Sequence, residues 1–532
     1  MQLKTIFEPC KRRKEGMKKL STGLVVLLAV LLVSPAVFAK MGSGKMTAAS
    51  DDVNIEMFGS FEPRPTFVDN PDFNDEQTNY DFLIGEAGAF GEDDISVRTE
   101  TRLGFKGYGK NWTFNTILEA DFVFSKTETD RGAGRWPDTL HDSGMTGEDF
   151  GIEKLLFTYD FSDYCFPAQL RVGWETNWLD IETGGLIYAD DHPHISLHGK
   201  ASNVKWQVNY MSIYDDIDTA DDEGGFDGNN LDWDVYSARM TIPVSTMNVC
   251  PIYAYSDNEK RDADLSYFGI QTFGKMGPFV PKAEFAYAYG DKDHYDKAWN
   301  DTKAAQAGKI NGSMLEDDEA DIGAYAFYAS LKYQASQMFN PYLAVLFASG
   351  DDDAFDDDIE AYNAITSTQR YLFSDIGIED SFIAHYVPVL GSNLYSYLPA
   401  RIGAGDDTGY GGVSDHSSAE SPGMQALFLG MMGNHGKWYY KLQGSYFEFE
   451  EVGALEDLGE LGVFSGEGAQ KGDIDDEMGF EITFRLKYDF SNHFSIANVI
   501  SAFEPGDGIE DLRGDDYDDT AFMNTVEIAW RF

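Results

Sequence analysis

The chain has 532 residues and carries 91 acidic against 40 basic side chains, a formal net charge of −51. A surplus of acid this large argues against nucleic acid as a partner, because phosphates would be repelled. An aromatic content of 14% argues equally against a disordered acidic chain, which would have little use for so many rings.

Taken from the start, Lys18 and Lys19 precede an apolar run from Leu20 to Val33, and Val37-Phe38-Ala39 supplies small residues for a signal peptidase. Residues 1–39 are therefore read as a secretory signal cleaved after Ala39, with 1–16 an over-called start because Met17 stands directly before the two lysines. The signal takes seven bases and two acids with it, so the exported chain is more negative still. Residues 40–52 are read as a short N-terminal segment and 53–532 as one domain. Beyond the signal no apolar run reaches the ~18 residues of a helical span.

From Val53 onward the sequence has period two. Ile95, Val97, Thr99, Thr101, Leu103 and Phe105 alternate with Ser96, Arg98, Glu100, Arg102, Gly104 and Lys106, so one face meets oil and the other water. Segments of this kind are expected at 53–62, 95–108, 112–126, 149–162, 168–175, 192–201, 203–214, 231–243 and 246–256. They continue at 263–274, 278–290, 319–334, 338–349, 423–432, 437–449, 477–489, 494–503 and 520–532. Their length suits tilted strands crossing a bilayer. The connectors alternate between short turns (108–111, 201–203, 275–277, 433–436, 491–492) and long acidic loops (215–230, 291–318, 350–422). The fold expected is all-β: a transmembrane antiparallel β-barrel of eighteen strands, sixteen if 192–201 and 423–432 are not strands. Its short turns face the periplasm and its long acidic loops face outward.

The last strand, Val526-Glu527-Ile528-Ala529-Trp530-Arg531-Phe532, resembles the C-terminal assembly signal of Gram-negative outer-membrane porins, with Trp530 and the terminal Phe532 as its aromatic positions. The resemblance implies the bacterial outer membrane as location and the barrel-assembly machinery as a partner. A second resemblance, to the alginate-export family, rests on Leu170-Arg171-Val172-Gly173-Trp174, on Gly184-Gly185-Leu186-Ile187-Tyr188, and on Ala348-Ser349-Gly350-Asp351-Asp352-Asp353.

In a barrel the inward rows line the water path. Strand phasing places there the bases Arg98, Arg102, Lys106, Lys154, Arg171, Lys205, Lys282, Lys441, Arg485, Lys487 and Arg531. The acids on the same rows are Glu100, Glu119, Asp121, Glu175, Glu284, Glu481 and Glu527. Such a wall orients polar solutes and favours anions at its narrowest point; the alternative is that these groups form wall-to-wall ion pairs that stiffen the barrel. A constriction needs a loop folded inward. The first candidate is the apolar stretch 383–398, with Tyr386, Tyr395 and Tyr397, and the second is 63–94, with Phe67, Phe73 and Tyr80.

No cofactor or metal is expected. The three cysteines form no C-x-x-C-H or C-x-x-C motif, although Cys165 and Cys250 are available to each other for a disulfide. His192, His194 and His198 alternate on one face without a fourth ligand. The acids 351–353 and 356–358 are read as a solvated run rather than a calcium loop. No histidine lies in a serine or acid context that nominates a nucleophile, so the chain is not read as an enzyme. About a dozen residues between Ala39 and Val53 leave no room for the plug of an energised receptor. The reading is a porin for passive diffusion of small hydrophilic solutes. The alternatives are an oligosaccharide- or polysaccharide-specific channel and a structural barrel that binds a partner protein. Lipid and lipopolysaccharide surround the wall in every case, and the sequence is compatible with a monomer or a homotrimer.

Overall fold

A computed structural model describes residues 46–50, 53–70, 73, 94–123, 149–183, 185–215, 232–259, 263–292, 320–353, 358–362, 364–365, 376–377, 422–460, 472–514 and 517–532. One sheet contains β1 (Met46–Ser50), β2 (Val53–Asp69), β3 (Asp94–Tyr108), β4 (Trp112–Val123), β5 (Asp149–Asp160), β6 (Ala168–Trp178) and β7 (Ala189–Ala201). It continues through β8 (Val204–Asp215), β9 (Asp232–Val244), β10 (Met247–Asn258), β11 (Ala263–Gly274), β12 (Phe279–Lys292), β13 (Ala320–Tyr333), β14 (Asn340–Ala348) and β15 (Asp358–Ile359). It ends with β16 (Met424–His435), β17 (Trp438–Glu448), β18 (Glu477–Asp489), β19 (Phe494–Pro505) and β20 (Ala521–Arg531). Among the described residues, two short α-helices, α1 (Gly453–Glu460) and α2 (Asp507–Arg513), sit in connectors.

The wall is a closed antiparallel barrel of eighteen strands, β2–β14 and β16–β20, in which β14 pairs directly with β16 and β20 closes on β2. The strands at 192–201 and 423–432, doubtful by sequence, are full members of it. Two differences stand out at the N-terminus. The segment 40–52 contains β1, and the connector expected from 63 is strand as far as Asp69.

Alternation divides the wall in two. On β12, Phe285, Tyr287 and Tyr289 are exposed on the outside, while Glu284, Ala286 and Ala288 are buried within. The outer surface carries aliphatic residues such as Met240, Ile270, Leu331, Leu343, Leu429 and Ile482. Aromatic pairs flank this belt. Toward the short turns lie Trp438–Tyr488 (4.5 Å) and Phe279–Tyr333 (5.1 Å); toward the long loops lie Tyr325–Phe347 (5.2 Å) and Tyr210–Tyr236 (5.4 Å). Amphipathic rings at both edges of an apolar band are the pattern a bilayer imposes.

The short turns are set by backbone geometry. Ser202, Ser245, Gly277 and Gly436 all adopt φ near +60°, which lets two strands reverse within two or three residues. Lys110 and Asn111, in the turn after β3, donate at 2.7 and 2.9 Å to Asp163 in the turn after β5 and hold its carboxyl below the usual carboxylate range.

The closing seam has its own chemistry. Gly59 and Phe532 exchange backbone hydrogen bonds at 3.1 and 3.0 Å, and the Phe532 ring lies across the space a side chain at 59 would take. The β2–β20 ladder then lapses between Phe61 and Thr66, where Pro63 and Pro65 have no N–H to give. Side chains bridge that gap from within: Thr66 and Thr525 hydroxyls at 3.0 Å, and Arg531 on Glu62 at 2.9 Å. Beyond Phe532, β1 takes up the free edge of β2 from Met57 back to Val53.

Gly59→Val should lower the folded fraction markedly, because a Cβ there falls 2.6 Å from the Phe532 ring and 2.7 Å from the Arg102 carbonyl oxygen. Gly151→Ala, whose new methyl meets nothing within 4 Å, should leave it unchanged. Heat-modifiable migration of the purified barrel reads both.

Candidate pore and its constriction

Three clusters of paired charge occupy the inner wall. On β2–β5, Arg102 contacts Glu100 (3.1 Å), Glu119 and Glu153 (2.9 Å), and Arg64 lies 3.6 Å from both Glu62 and Glu100. On β5–β7, the buried Glu175 carboxylate takes Lys154 (2.5 Å) and Arg171 and has His194 at 3.6 Å. On β18–β20, Arg485 pairs with Glu527, and Lys487 lies 3.4 Å from Asp489. The wall-to-wall pairing that stood as an alternative in the sequence is thus present, yet most partners keep water contact: Arg102 retains 37% side-chain exposure and Arg531 58%.

The charges are also sorted along the axis. Lys106, Lys200, Lys205, Lys282, Lys332, Lys441, Lys487 and Arg531 all occupy inward positions within a few residues of the short-turn ends of their strands. Glu62, Glu100, Glu119, Glu153 and Glu175 sit further along, toward the middle of the wall. A basic collar therefore lies below a more acidic mid-zone. Arg98 and Asp121 hold inward register positions, but their side chains fall outside the described part.

The other half of the lumen is filled. The connector from Leu179 to Tyr188 folds inward, and Leu179, Leu186, Ile187 and Tyr188 are completely or almost completely buried. They join Val235, Ile252, Leu265, Tyr267 and Tyr328 of the wall in one apolar cluster. Its closest approach is at Gly269, where a Cβ would meet the Ile187 side chain at 2.4 Å. A second inward piece, from the connector after β14, packs on the first: Tyr362 donates to the Leu186 carbonyl (2.6 Å) and Ile365 N–H to Ile187 (3.0 Å). Gln443 of β17 holds the same piece through Gly377 at 2.6 Å.

Polar groups lock the first loop to the wall. Gln271 donates to the Asp180 carbonyl (2.5 Å) and to Thr183 (2.5 Å), and Arg239 reaches Glu182. Glu284 accepts from the Thr183 hydroxyl and from Gly185 N–H at 3.1 Å. Asp180 accepts Ile187 N–H at 2.5 Å. Burial, and then the neighbouring Glu284 carboxylate, push the Asp180 carboxyl well above the usual carboxylate range.

Several sequence expectations change here. Glu284, Lys441 and Glu481 point inward but are buried, at 1%, 2% and 0% exposure, so they bind protein rather than face an open channel. Glu481, for instance, accepts from Thr483 (3.0 Å) and Ser501. Of the second loop candidate, Phe67 lies on β2 and Phe73 is buried 5.6 Å from Phe503. Tyr80, Tyr386, Tyr395 and Tyr397 lie outside the described residues. Cys165 is exposed at a short turn and Cys250 is buried on the inner face; both are free, so no disulfide joins them. Asp351 is not part of a solvated run, because it is buried and accepts Glu360 N–H at 3.2 Å. His192, His194 and His198 turn to Tyr188 (2.8 Å), Glu175 and Ser196 (3.0 Å) respectively. Among the described residues no three His, Cys, Asp or Glu are placed to hold a metal ion.

The sequence reading passed over the 179–188 loop, Glu62, Arg64, Glu153, Glu182, Arg239 and Lys332. The loop had a signal: Leu186-Ile187-Tyr188 after two glycines is apolar where a solvated connector would be polar.

No family model matches the chain, and no curated protein matches it. Among solved structures it is similar to Pseudomonas aeruginosa OccK9 (OpdG), at 11% identity over 90% of this chain and 98% of the other with a TM-score of 0.47. It is also similar to Acinetobacter baumannii OccAB1, at 13% identity over 90% and 97% with a TM-score of 0.46. A third, Acinetobacter baumannii OccAB4, is 10% identical over 90% and 98%, again at 0.46.

A large side chain at the Gly269 contact should lift the inward loop off the wall. Gly269→Leu is expected to raise single-channel conductance without removing the barrel from the membrane, read by planar-bilayer recording of the folded protein.

Proposed function

We propose that this chain is an outer-membrane porin: it is exported by its N-terminal signal, inserted through its C-terminal strand by the barrel-assembly machinery, and passes small hydrophilic solutes by diffusion. The observation that carries the reading is the division of a closed barrel into an exposed apolar outside and a charged inside on alternate residues of the same strands. A protein solvated by water on both faces has no use for Leu429 at 64% exposure between Leu427 and Met431.

The solute path runs along the charged half of the lumen, beside β2–β7 and β18–β20, because Leu179, Leu186, Ile187, Tyr188, Tyr362, Ile365 and Ile376 pack against the opposite half. A solute arriving from the long-loop side meets the acid-rich zone around Arg102 first and the basic collar last. Charged rings at a constriction set ion preference through local potential, so the collar favours anions. Reconstituted protein should give stable open conductance in a planar bilayer with no energy source; a silent barrel overturns the proposal.

The basic collar supports a second reading, a channel for acidic oligosaccharides or polysaccharides whose carboxylates step from base to base. An acidic oligosaccharide should then block the current at far lower concentration than a neutral one of equal length.

Glu175 tunes either channel, since its one carboxylate is shared by Lys154 and Arg171 and offsets half of their charge. Glu175→Gln should move the reversal potential in a salt gradient toward chloride. It should also destabilise the barrel by about 1–3 kcal/mol, the usual penalty for stripping a partner from partly buried charges.

A further inference from the structure

The seam that closes the barrel is also its weakest line, and a cavity lies directly behind it. We propose that this seam is a lateral exit, through which the lumen passes a single-chain acidic amphiphile into the bilayer between β2 and β20. Arg64 holds the carboxylate head while the chain slips out between the strands. The inference adds a second route to the porin reading above, and rests on it for a water-filled lumen set in lipid.

The two strands keep one register across the lapse, with Phe61 opposite Trp530 before it and Thr66 opposite Thr525 after it. No residue is inserted; four facing pairs simply form no ladder bridge. Gly59 and Phe532 exchange both their backbone bonds. Counting two residues at a time from that pair, the N–H groups of residues 63 and 65 would point at Ile528 and Val526, and both residues are proline. The Ile528 and Val526 carbonyls therefore lose the donors opposite them. On their far sides the same stretches are held in full, residues 62–65 by Glu100 to Val97 of β3 and residues 526–529 by Asn498 to Ser495 of β19. The lapse is confined to one line, roughly 14 Å long for four extended residues.

Behind that line is a cavity of about 60 Å³, lined in part by Glu62, Arg64, Arg485, Glu527, Ile528 and Arg531. Ile528 shares its lipid-facing parity with the exposed Trp530, so a lumenal cavity that touches it reaches the seam itself. Arg64 stands between the two prolines and keeps 37% side-chain exposure. It lies 3.6 Å from both Glu62 and Glu100, close enough for attraction but beyond hydrogen-bond length. Among the described residues its guanidinium donates no hydrogen bond. The neighbouring arginines differ: Arg531 donates to Glu62, Arg485 to Glu527, and Arg102 to Glu119 and Glu153. A guanidinium with its fork of donors unspent is suited to a carboxylate.

The lipid side of the same line is framed by polar groups. Asn498 and Asn524 lie on the outward rows of β19 and β20 and hydrogen-bond each other at 2.5 Å. Thr99 and Thr101 lie on the outward row of β3, beside Pro63 and Phe61, and their buried hydroxyls have no hydrogen-bond partner. Such groups are costly in hydrocarbon, and the outward rows of β12 and β16 carry Phe285, Tyr287, Tyr289, Leu427 and Leu429 instead. Polar groups on both sides of a gap give a charged head somewhere to rest as it crosses. Parting the strands there breaks at most the two reverse bonds, from Ile528 and Val526 N–H to the proline carbonyls. A short hydrophilic acid can use Arg64 but gains nothing from the seam. An uncharged chain can use the seam but not Arg64, so the pairing selects for both features in one molecule.

The test is photolabelling of the full barrel, reconstituted in phosphatidylcholine vesicles, by laurate carrying a diazirine at its chain end. Wild type should be labelled saturably on β2 and β20 beside the seam. Unlabelled laurate should displace the label; at the same concentration dodecanol (the chain without the charge) and acetate (the charge without the chain) should not. Arg64→Gln should weaken saturable labelling about tenfold or more, the usual worth of a hydrogen bond to a charged group. Pro63→Val combined with Pro65→Val returns two donors to the seam. It should abolish the labelling and raise the temperature at which the barrel unfolds. Two variants are used because either one could fail to fold, and heat-modifiable migration shows which barrels did. Wild-type labelling that does not saturate, or that dodecanol or acetate displaces as well as laurate does, overturns the lateral exit. So does labelling that is unchanged in the variants that fold. Planar-bilayer conductance of the same preparation separates the two proposals: an open barrel that takes no label overturns the exit alone, and a silent barrel overturns both.

Discussion

Everything in this molecule depends on the inability of hydrocarbon to hydrogen-bond a peptide group. An open sheet in a bilayer leaves a row of N–H and C=O groups unpaired at each edge, at several kcal/mol apiece, so the sheet must close on itself. Closure here is made between two strands at opposite ends of the chain, β2 and β20, and is therefore the last and most non-local pairing available. It is also imperfect, because Pro63 and Pro65 remove two donors from that seam alone. The compensation is visible: the Gly59–Phe532 bond pair locks one end, the Thr66–Thr525 and Arg531–Glu62 contacts brace the inside, and β1 covers what β20 leaves bare.

Closing the sheet turns its polar face into an interior, and this barrel solves the problem of that interior in two ways. Along β2–β7 and β18–β20 the space stays wet, and arginines and lysines share carboxylates while retaining partial solvent contact. Along β8–β17 the chain fills the space with itself, and the wall residues change accordingly. Ala254, Ala286, Ala288, Ala324, Ala326 and Ala344 are small where the loops press close, and Val235, Ile252 and Leu265 are apolar although they point away from lipid. On that side apolar residues on the inner face pack against the loops, and the loops' own polar groups are satisfied by Gln271, Glu284, Tyr362 and Gln443. A loop packed this way is a core element that happens to stand in a channel.

The same division decides what could be read from the sequence. Strand positions followed from alternation, because lipid outside and charge inside give the strongest period-two signal a strand can carry; the doubtful segments 192–201 and 423–432 needed the neighbours they pair with. Arg102, Glu119, Arg171, Glu175, Arg485 and Glu527 were named from phase alone, and their pairing was not, since which of two acids an arginine meets depends on strand stagger and on the bulge near Ile117 that also turns Glu153 inward. The buried status of Glu284, Lys441 and Glu481 was hidden because a sequence gives the direction a side chain points but not what has folded against it. In the sequence, the loop at 179–188 stands out only through the likeness of residues 184–188 to a family motif. Its meaning lay in a mismatch, an apolar triplet in a connector, which single-sequence reading discounts.

The total charge of the chain says little about the pore, and distance explains why. Most wall strands have about a dozen residues, and at ~3.4 Å per residue with a tilt near 40° the two mouths are separated by roughly 30 Å. At physiological ionic strength charges act over about 8 Å in water. The basic collar lies at the short-turn ends, several such lengths from the long-loop ends of the same strands, so charge at one mouth is screened from charge at the other. On the proposed porin reading, an ion in the lumen meets the mid-wall acids and the lysines near the short turns in sequence. The mid-wall clusters are different again: Arg102 is outnumbered by Glu100, Glu119 and Glu153, whereas Glu175 is outnumbered by Lys154 and Arg171, so each keeps a local net charge of opposite sign. Selectivity in such a channel belongs to whichever zone the inward loops make narrowest. That ties the electrostatics of the charged half to the packing of the half that carries no current.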